Sequence, residues 1–477
     1  MTFWDYAIII CYFSLIIGVG VAFRRQKSLR DYFLGGNSVP WWAATFSGIA
    51  TILSAVSYLG APGIGFTGDY RLHQYRLGLP FAILILCWIM LPFFYRTQRY
   101  SIYEYFEERF DLRARLFASG LFIVLKTCFL GLAIYAPALV IRQMFGISIW
   151  YIVGFVGVIT TLYTMLGGIK AVIWTDTVQL FILMGGLFVV ASIALSRIDG
   201  GLAAVIALGQ AHDKFRFFDF SWDLDTPYTV WAGFVGGGIF LLSQYGSDQA
   251  ELQRFLATRS LRDARLAILV TLLVTFAVGV GTFFIGSILF AFYTQMPEKG
   301  GLGVASNDIF PKFIIEELPI GVKGLLIAAV LAAAMSTISS VLNSVTTVII
   351  SDFYNRFSRR DATVAIARTV TVALGLCGVL LGGFAGSLGN ILVMSMKLSG
   401  FFGGPMVGLF LLGMTCKRAT GDGAFFGLCL GMAVTFSLGL LTDVSFLWYA
   451  AFSAATTYGT GFLWGWIRPA PARPGAA

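Results

Sequence analysis

Of 477 residues, 58% are hydrophobic and 12% are charged, with 44 phenylalanines and a mean hydropathy of +0.82. A soluble domain carries about 25% charged residues, so a water-soluble globular chain is excluded, as are a disordered chain and, with six cysteines, a disulfide scaffold. The net charge of +9 has no meaning for partners until its distribution is known.

A membrane-crossing helix needs about 20 mostly apolar residues. In chain order such stretches fall at 4–23, 41–62, 77–94, 117–140, 148–166, 171–196, 229–246, 266–293, 319–351, 364–385, 388–414, 423–441 and 445–466, thirteen in all. The runs are continuous rather than alternating, which argues against a β-barrel. The expected fold class is therefore an all-α membrane protein with 13 transmembrane helices.

The first stretch is not a cleavable signal. Asp5 precedes its apolar run and Arg24-Arg25-Gln26-Lys27 follow it, the reverse of the signal-peptide charge order. With the N-terminus outside, the inner loops hold 22 of the 33 Lys and Arg residues, among them Arg254, and the outer loops hold eight. Lys126, Lys323 and Lys397 fall inside the stretches. Basic loops lie on the inner side, so the count places the N-terminus outside and the C-terminus in the cytoplasm. The +9 is mostly a topology signal, and no nucleic-acid partner follows from it.

Two stretches read as discontinuous helices. The second runs from Phe46-Ser47-Gly48 through Ser54-Ala55-Val56-Ser57 into Gly60-Ala61-Pro62-Gly63. The seventh holds Gly236-Gly237-Gly238, then Ser243-Gln244-Tyr245-Gly246-Ser247-Asp248. If the first span is set aside, these open two successive five-helix halves. Interrupted helices at matching positions point to a transporter site; close helix packing by small residues explains them equally well. Between spans, Ser101 to Arg115 reads as an amphipathic surface helix, and the longest outer loops are 197–228 and 294–318.

The ninth stretch carries the clearest chemistry. At about 100° per residue, Ser336, Ser339, Ser340, Asn343 and Thr347 share one face, with Thr337 beside them. Neutral oxygens of this kind suit sodium, and carbonyls freed by a broken helix would complete its shell. A polar packing seam is the alternative reading. No GxxxxGK[ST] motif, CxxC pair or Ser-His constellation is present, and only His73 and His212 occur. Enzyme chemistry, structural zinc and an attached ATPase unit therefore have no support in the sequence.

In their order and spacing, several motifs together resemble the sodium/solute symporter family, and within it the bacterial sialic-acid transporters. They are Asp31-Tyr32-Phe33-Leu34-Gly35-Gly36, Tyr103-Glu104-Tyr105-Phe106, Gly167-Gly168-Ile169-Lys170, Asp248-Gln249 with Gln253-Arg254, Ser351-Asp352-Phe353-Tyr354 and Gly403-Gly404-Pro405. The resemblance implies a leucine-transporter-like inverted-repeat (5+5) fold. One membrane transport domain would then cover 1–477: a leading helix and loop at 4–40, repeats at 41–196 and 229–414, and trailing helices at 423–466.

It also implies a main sodium site at Ala50, Leu53, Ala333, Ser336 and Thr337. A second sodium site would fall on Asp176, Ser336, Ser339 and Ser340. For substrate it implies Ser54 and Ser57 on the broken helix. The position of a carboxylate-holding arginine falls on Phe129, and that of a polar glutamine on Arg76. Cations at membrane depth are functional candidates by default, so Arg76, Lys126 and Lys397 favour an anionic solute, although snorkelling or pairing with Asp248 or Glu251 also accounts for them.

The expected function is a sodium-coupled secondary active symporter, not an enzyme, that imports a small polar solute, in first place a carboxylate or sugar acid, by alternating access. A neutral sugar or polyol symporter is the second reading, and a solute sensor on the same scaffold the third. The implied partners are a small-molecule substrate, sodium and the lipid bilayer of a bacterial-type inner (plasma) membrane, with no ATPase subunit.

Overall fold

A computed structural model of the chain describes residues 2–97, 99–319, 321–358, 360–385 and 391–468, with the backbone only at 143, 144, 307 and 391–400. Among the described residues the chain is helical throughout, and its one extended pairing is an isolated bridge between Val39 and Thr258. Hydrocarbon cannot hydrogen-bond a backbone, so each segment must satisfy its own amides, and helices do so.

Among the described residues, each of the thirteen predicted stretches overlaps helix. Taken singly, eight helices are long and apolar enough to cross a membrane, or nine with one bent pair counted. Backbone interruptions account for much of the gap. The 48-residue helix Ile149–Ser196 is two spans in one, parted at Gly168, whose φ of 57° is open to glycine. The seventh stretch is built of short helical pieces, Ala232–Gly236, Gly237–Leu242 and Ser243–Ser247.

Contacts between helix ends group several of them on two faces. Asp5 accepts the amides of Gly321 (3.0 Å) and Gly324 (2.8 Å), so the first and ninth spans start on the same face. On that face Arg197, after the sixth span, pairs with Glu317 before the ninth at 2.6 Å. On the opposite face Arg368, at the start of the tenth span, donates to Gln26 after the first at 2.8 Å. There too Arg113, leading into the fourth, meets Asp422, leading into the twelfth, at 2.7 Å.

The predicted surface helix at 101–115 is divided. A short helix covers Glu104–Arg109, and Asp111 then caps the long helix Leu112–Phe145 by accepting the Ala114 amide at 2.9 Å. An aspartate at this position ends one helix because its carboxylate starts the next.

The ninth span, Val322–Val348, is the axle of the bundle. In its apolar stretch 94% of residues are buried, against 28% for Phe3–Ala22, Val364–Phe384 and Gly421–Leu441. Those three leave large apolar side chains such as Leu380, Phe384 and Leu441 outward, as lipid-facing helices do. The second span is broken between Trp41–Ile52 and Ala55–Thr67, which bend by 64°.

Its second half lies hard against Leu261–Gln295. A Cβ on Gly286 would fall 2.1 Å from the Pro62 carbonyl oxygen, and one on Gly65 would fall 2.3 Å from that of Phe283. Both neighbours are backbone and cannot yield. Gly286→Ala should therefore lower stability by about 1–3 kcal/mol through overpacking. A thermal melt of the purified protein in detergent checks this, and an unchanged midpoint would refute the close approach.

Candidate sodium and substrate site

The broken helix ends at Ile52, and Leu53 leaves helical geometry at φ −75°, ψ 58°. The last carbonyls of a helix have no partner within it. Here the serine-rich ninth span supplies partners. Ser336 Oγ donates to the Ala50 carbonyl at 3.0 Å and to Ala333 at 3.1 Å. Thr337 Oγ1 donates to the Thr51 carbonyl at 3.1 Å and to Ala333 at 3.3 Å. Ala50, Ala333, Ser336 and Thr337 are thus brought together as predicted, with Leu53 at the break itself. Neutral hydroxyl and carbonyl oxygens converging on one spot fit a hard monovalent cation. Thr51 belongs to the same cluster and was missed; its hydroxyl-rich surroundings were the available signal.

The second predicted set is arranged differently from expectation. Asp176 is fully buried; its Oδ2 accepts from Ser47 at 2.6 Å and Thr51 at 3.4 Å, while Oδ1 has no hydrogen-bond partner. No direct bond joins it to Ser336, Ser339 or Ser340 among the described residues. Arg254 stands between. Its Nη1 reaches Ser47 (2.7 Å), Thr51 (2.8 Å) and Asp176 (3.6 Å), and its Nη2 reaches Ser340 (3.2 Å). The hydroxyl of Ser339 turns back to the Ser336 carbonyl at 3.1 Å.

Counting Arg254 with the inner-loop cations is corrected here. It is among the largest fully buried side chains of the protein. The stretch that carries it is a short helix, Gln249–Leu256, with all eight residues buried and Asp248 capping its start. Glu251 lies 3.6 Å from the same guanidinium. Two carboxylates therefore share one arginine, and one formal negative charge is left over beside the orphaned Asp176 oxygen. That surplus fits a bound cation.

Above this layer lies a cavity of about 330 Å³, lined by both halves of the broken helix and by the third, fourth, seventh and eighth spans. Ser54, Ser57, Arg76, Lys126 and Phe129 all face it. Ser54 also caps the second helical half, accepting the Ser57 amide at 3.4 Å. Lys126 forms an ion pair with Asp248, and its ammonium lies 5.4 Å from the centre of the Phe129 ring. It is therefore already neutralised. The side chain of Lys397 lies outside the described residues.

Arg76 is different. It is 9% exposed and donates to Thr275 Oγ1 at 3.2 Å; its Nε is unpartnered, and no carboxylate pairs with it among the described residues. A loop folds over this wall. Arg71 bridges Asp69 (2.7 Å) and Asp219 (3.0 Å), and the Asp219 amide donates to Gln74 Oε1 at 3.0 Å. The Ser221 hydroxyl and amide, with Arg71 and Arg216, hold the Asp219 carboxyl below the usual range.

The chain is similar to several known proteins. The family model described as the sodium:solute symporter family matches residues 32–431. The sodium/sialic acid symporter NanT of Aliivibrio fischeri is 34% identical, over 96% of this chain and 92% of its own. The human sodium/iodide cotransporter is 32% identical over 91% of this chain and 69% of its own. A solved structure, the substrate-bound outward-open state of a Na+-coupled sialic acid symporter with a novel Na+ site, superposes with a TM-score of 0.90 at 32% identity and covers 99% of both chains. The fold is the leucine-transporter-like one shared by more distant transporters. The chain belongs to the sodium:solute symporter family, as a sodium-coupled membrane transporter and not an enzyme.

Proposed function

We propose that this chain imports a small organic anion, a carboxylate or sugar acid, together with sodium. The observation that carries the reading is Arg76, a buried cation in the cavity wall with no acid beside it. A buried charge without a partner is costly, so the missing partner is read as the solute. Lys126 cannot serve in the same way while Asp248 holds it. The relatives lend support, because sialic acid and iodide share little besides negative charge. A neutral sugar would leave Arg76 uncompensated.

In this reading one sodium ion is held by Ala50, Leu53, Ala333, Ser336 and Thr337, between the broken helix and the ninth span. A second is held by Asp176 with Ser336, Ser339 and Ser340, close to the unpartnered Asp176 oxygen. The first ion joins the broken helix to the ninth span and the second joins the sixth span to the ninth, so bound sodium favours one packing of these helices, and the solute then fills the cavity beside them. The halves 41–196 and 229–414 move against each other in a single membrane domain, with the N-terminus outside and the C-terminus in the cytoplasm of a bacterial-type plasma membrane.

Two sodium ions with one monovalent anion carry one net charge inward. That charge is worth about 2.3 kcal/mol per 100 mV, or roughly fiftyfold accumulation before any sodium gradient is counted. One sodium with one anion would be electrically silent.

Ser336→Ala with Thr337→Ala should raise the sodium concentration for half-maximal uptake at least about tenfold, since two charge-bearing contacts are lost. Sodium dependence like that of the unaltered protein in uptake assays would sink the main site. Asp176→Asn should bring the sodium Hill slope toward one and abolish the transport current; an unchanged current excludes the second site. Arg76→Gln should weaken carboxylates by about ten- to a hundredfold and leave sugars as they were. Equal effects on both classes in a competition assay would favour the neutral-solute reading.

A further inference from the structure

Arg76 is not alone on its wall. Residues 71–78 form a 3-10 helix, in which positions three apart eclipse. His73 and Arg76 therefore leave the same face one above the other. His73 is 3% exposed and lines the cavity, and neither of its ring nitrogens has a hydrogen-bond partner.

Aromatic rings fix the imidazole in place: Phe283 lies 4.4 Å away edge-on, and Tyr70, Phe276 and Phe217 lie within 6.5 Å. Opposite stands Gly279. A Cβ there would sit 3.2 Å from His73 Cε1 and 3.7 Å from Arg76 Nη2. A methyl group would already crowd the imidazole, so glycine leaves only a narrow slot beside both groups.

We infer that His73 and Arg76 form a two-point clamp for a 2-hydroxycarboxylate, with Arg76 taking the carboxylate and His73 the adjacent hydroxyl. A guanidinium matches a carboxylate with paired donors. An imidazole has a ring donor and, when neutral, an acceptor as well, which complements a hydroxyl. Buried polar groups without partners discriminate strongly against a ligand that cannot satisfy them. The clamp rests on the anion reading above and narrows it to acids with an oxygen on the carbon next to the carboxyl.

The test is sodium-dependent binding to the purified full-length protein, with lactate compared with propionate and gluconate with 2-deoxygluconate. The unaltered protein should favour the 2-hydroxy member of each pair at least about fivefold. His73→Phe keeps the ring packing but removes the nitrogens, and should bring each ratio to within about twofold. His73→Asn should restore part of it. Gly279→Ala, which closes the slot, should weaken lactate more than propionate.

No preference in the unaltered protein, or an undiminished ratio in His73→Phe, overturns the clamp. Retained thermal stabilisation by sodium identifies variants that have folded. If Arg76→Gln binds all four acids as well as before, the anion reading itself fails. If it loses them while His73→Phe keeps its ratio, only the clamp fails.

Discussion

The structure depends on a break in one helix. Between Ile52 and Ala55 the second span gives up its hydrogen-bond ladder in the middle of a buried bundle. In lipid such a gap costs several kcal/mol for each unsatisfied group. The hydroxyls of Ser336 and Thr337 make it tolerable, and they can do so only because the ninth span presses its polar face against the break. The oxygens that repair the gap are the ones a sodium ion would use. In the proposed reading, repair and ligation are alternatives at one place, so ion occupancy would change how two central helices hold each other.

Charge is arranged in layers around that break. Below it, Asp176 and Glu251 share Arg254; level with the cavity, Lys126 and Asp248 neutralise each other; on the far wall Arg76 stands alone among the described acids. Glu251, Asp248, Lys126 and Arg76 all line the one cavity, and Asp176 is buried beside it. In the proposed reading, a sodium ion and an organic anion held this close would attract across a short, poorly screened distance, a direct physical basis for coupling their binding.

Much of this was legible in the sequence. Apolar run length gave the spans, and helical periodicity gathered Ser336, Ser339, Ser340 and Thr337. The sequence allows Lys126 to be either a ligand or half of an internal pair, and the structure holds the pair. Arg254 was hidden because counting basic residues by loop treats every residue between spans as solvated. Gln249–Leu256 instead folds back inside the protein. His73 drew little notice as a lone histidine. Its placement depends on a 3-10 turn and on aromatic rings from distant parts of the chain, and sequence spacing encodes neither. The bond from Asp176 to Ser47 spans 129 positions and is equally invisible to local pattern.

The clip between Asp5 and the amides of Gly321 and Gly324 has a temporal side. Its two ends are 316 and 319 positions apart. At about 5–20 residues per second, the Asp5 carboxylate would wait on the order of tens of seconds for the amides it accepts. The same helix also packs on Ile149–Ser196, where Phe13 meets Phe155 and Gln179 donates to the Tyr12 hydroxyl, so it gains those partners well before the ninth span closes the Asp5 clip.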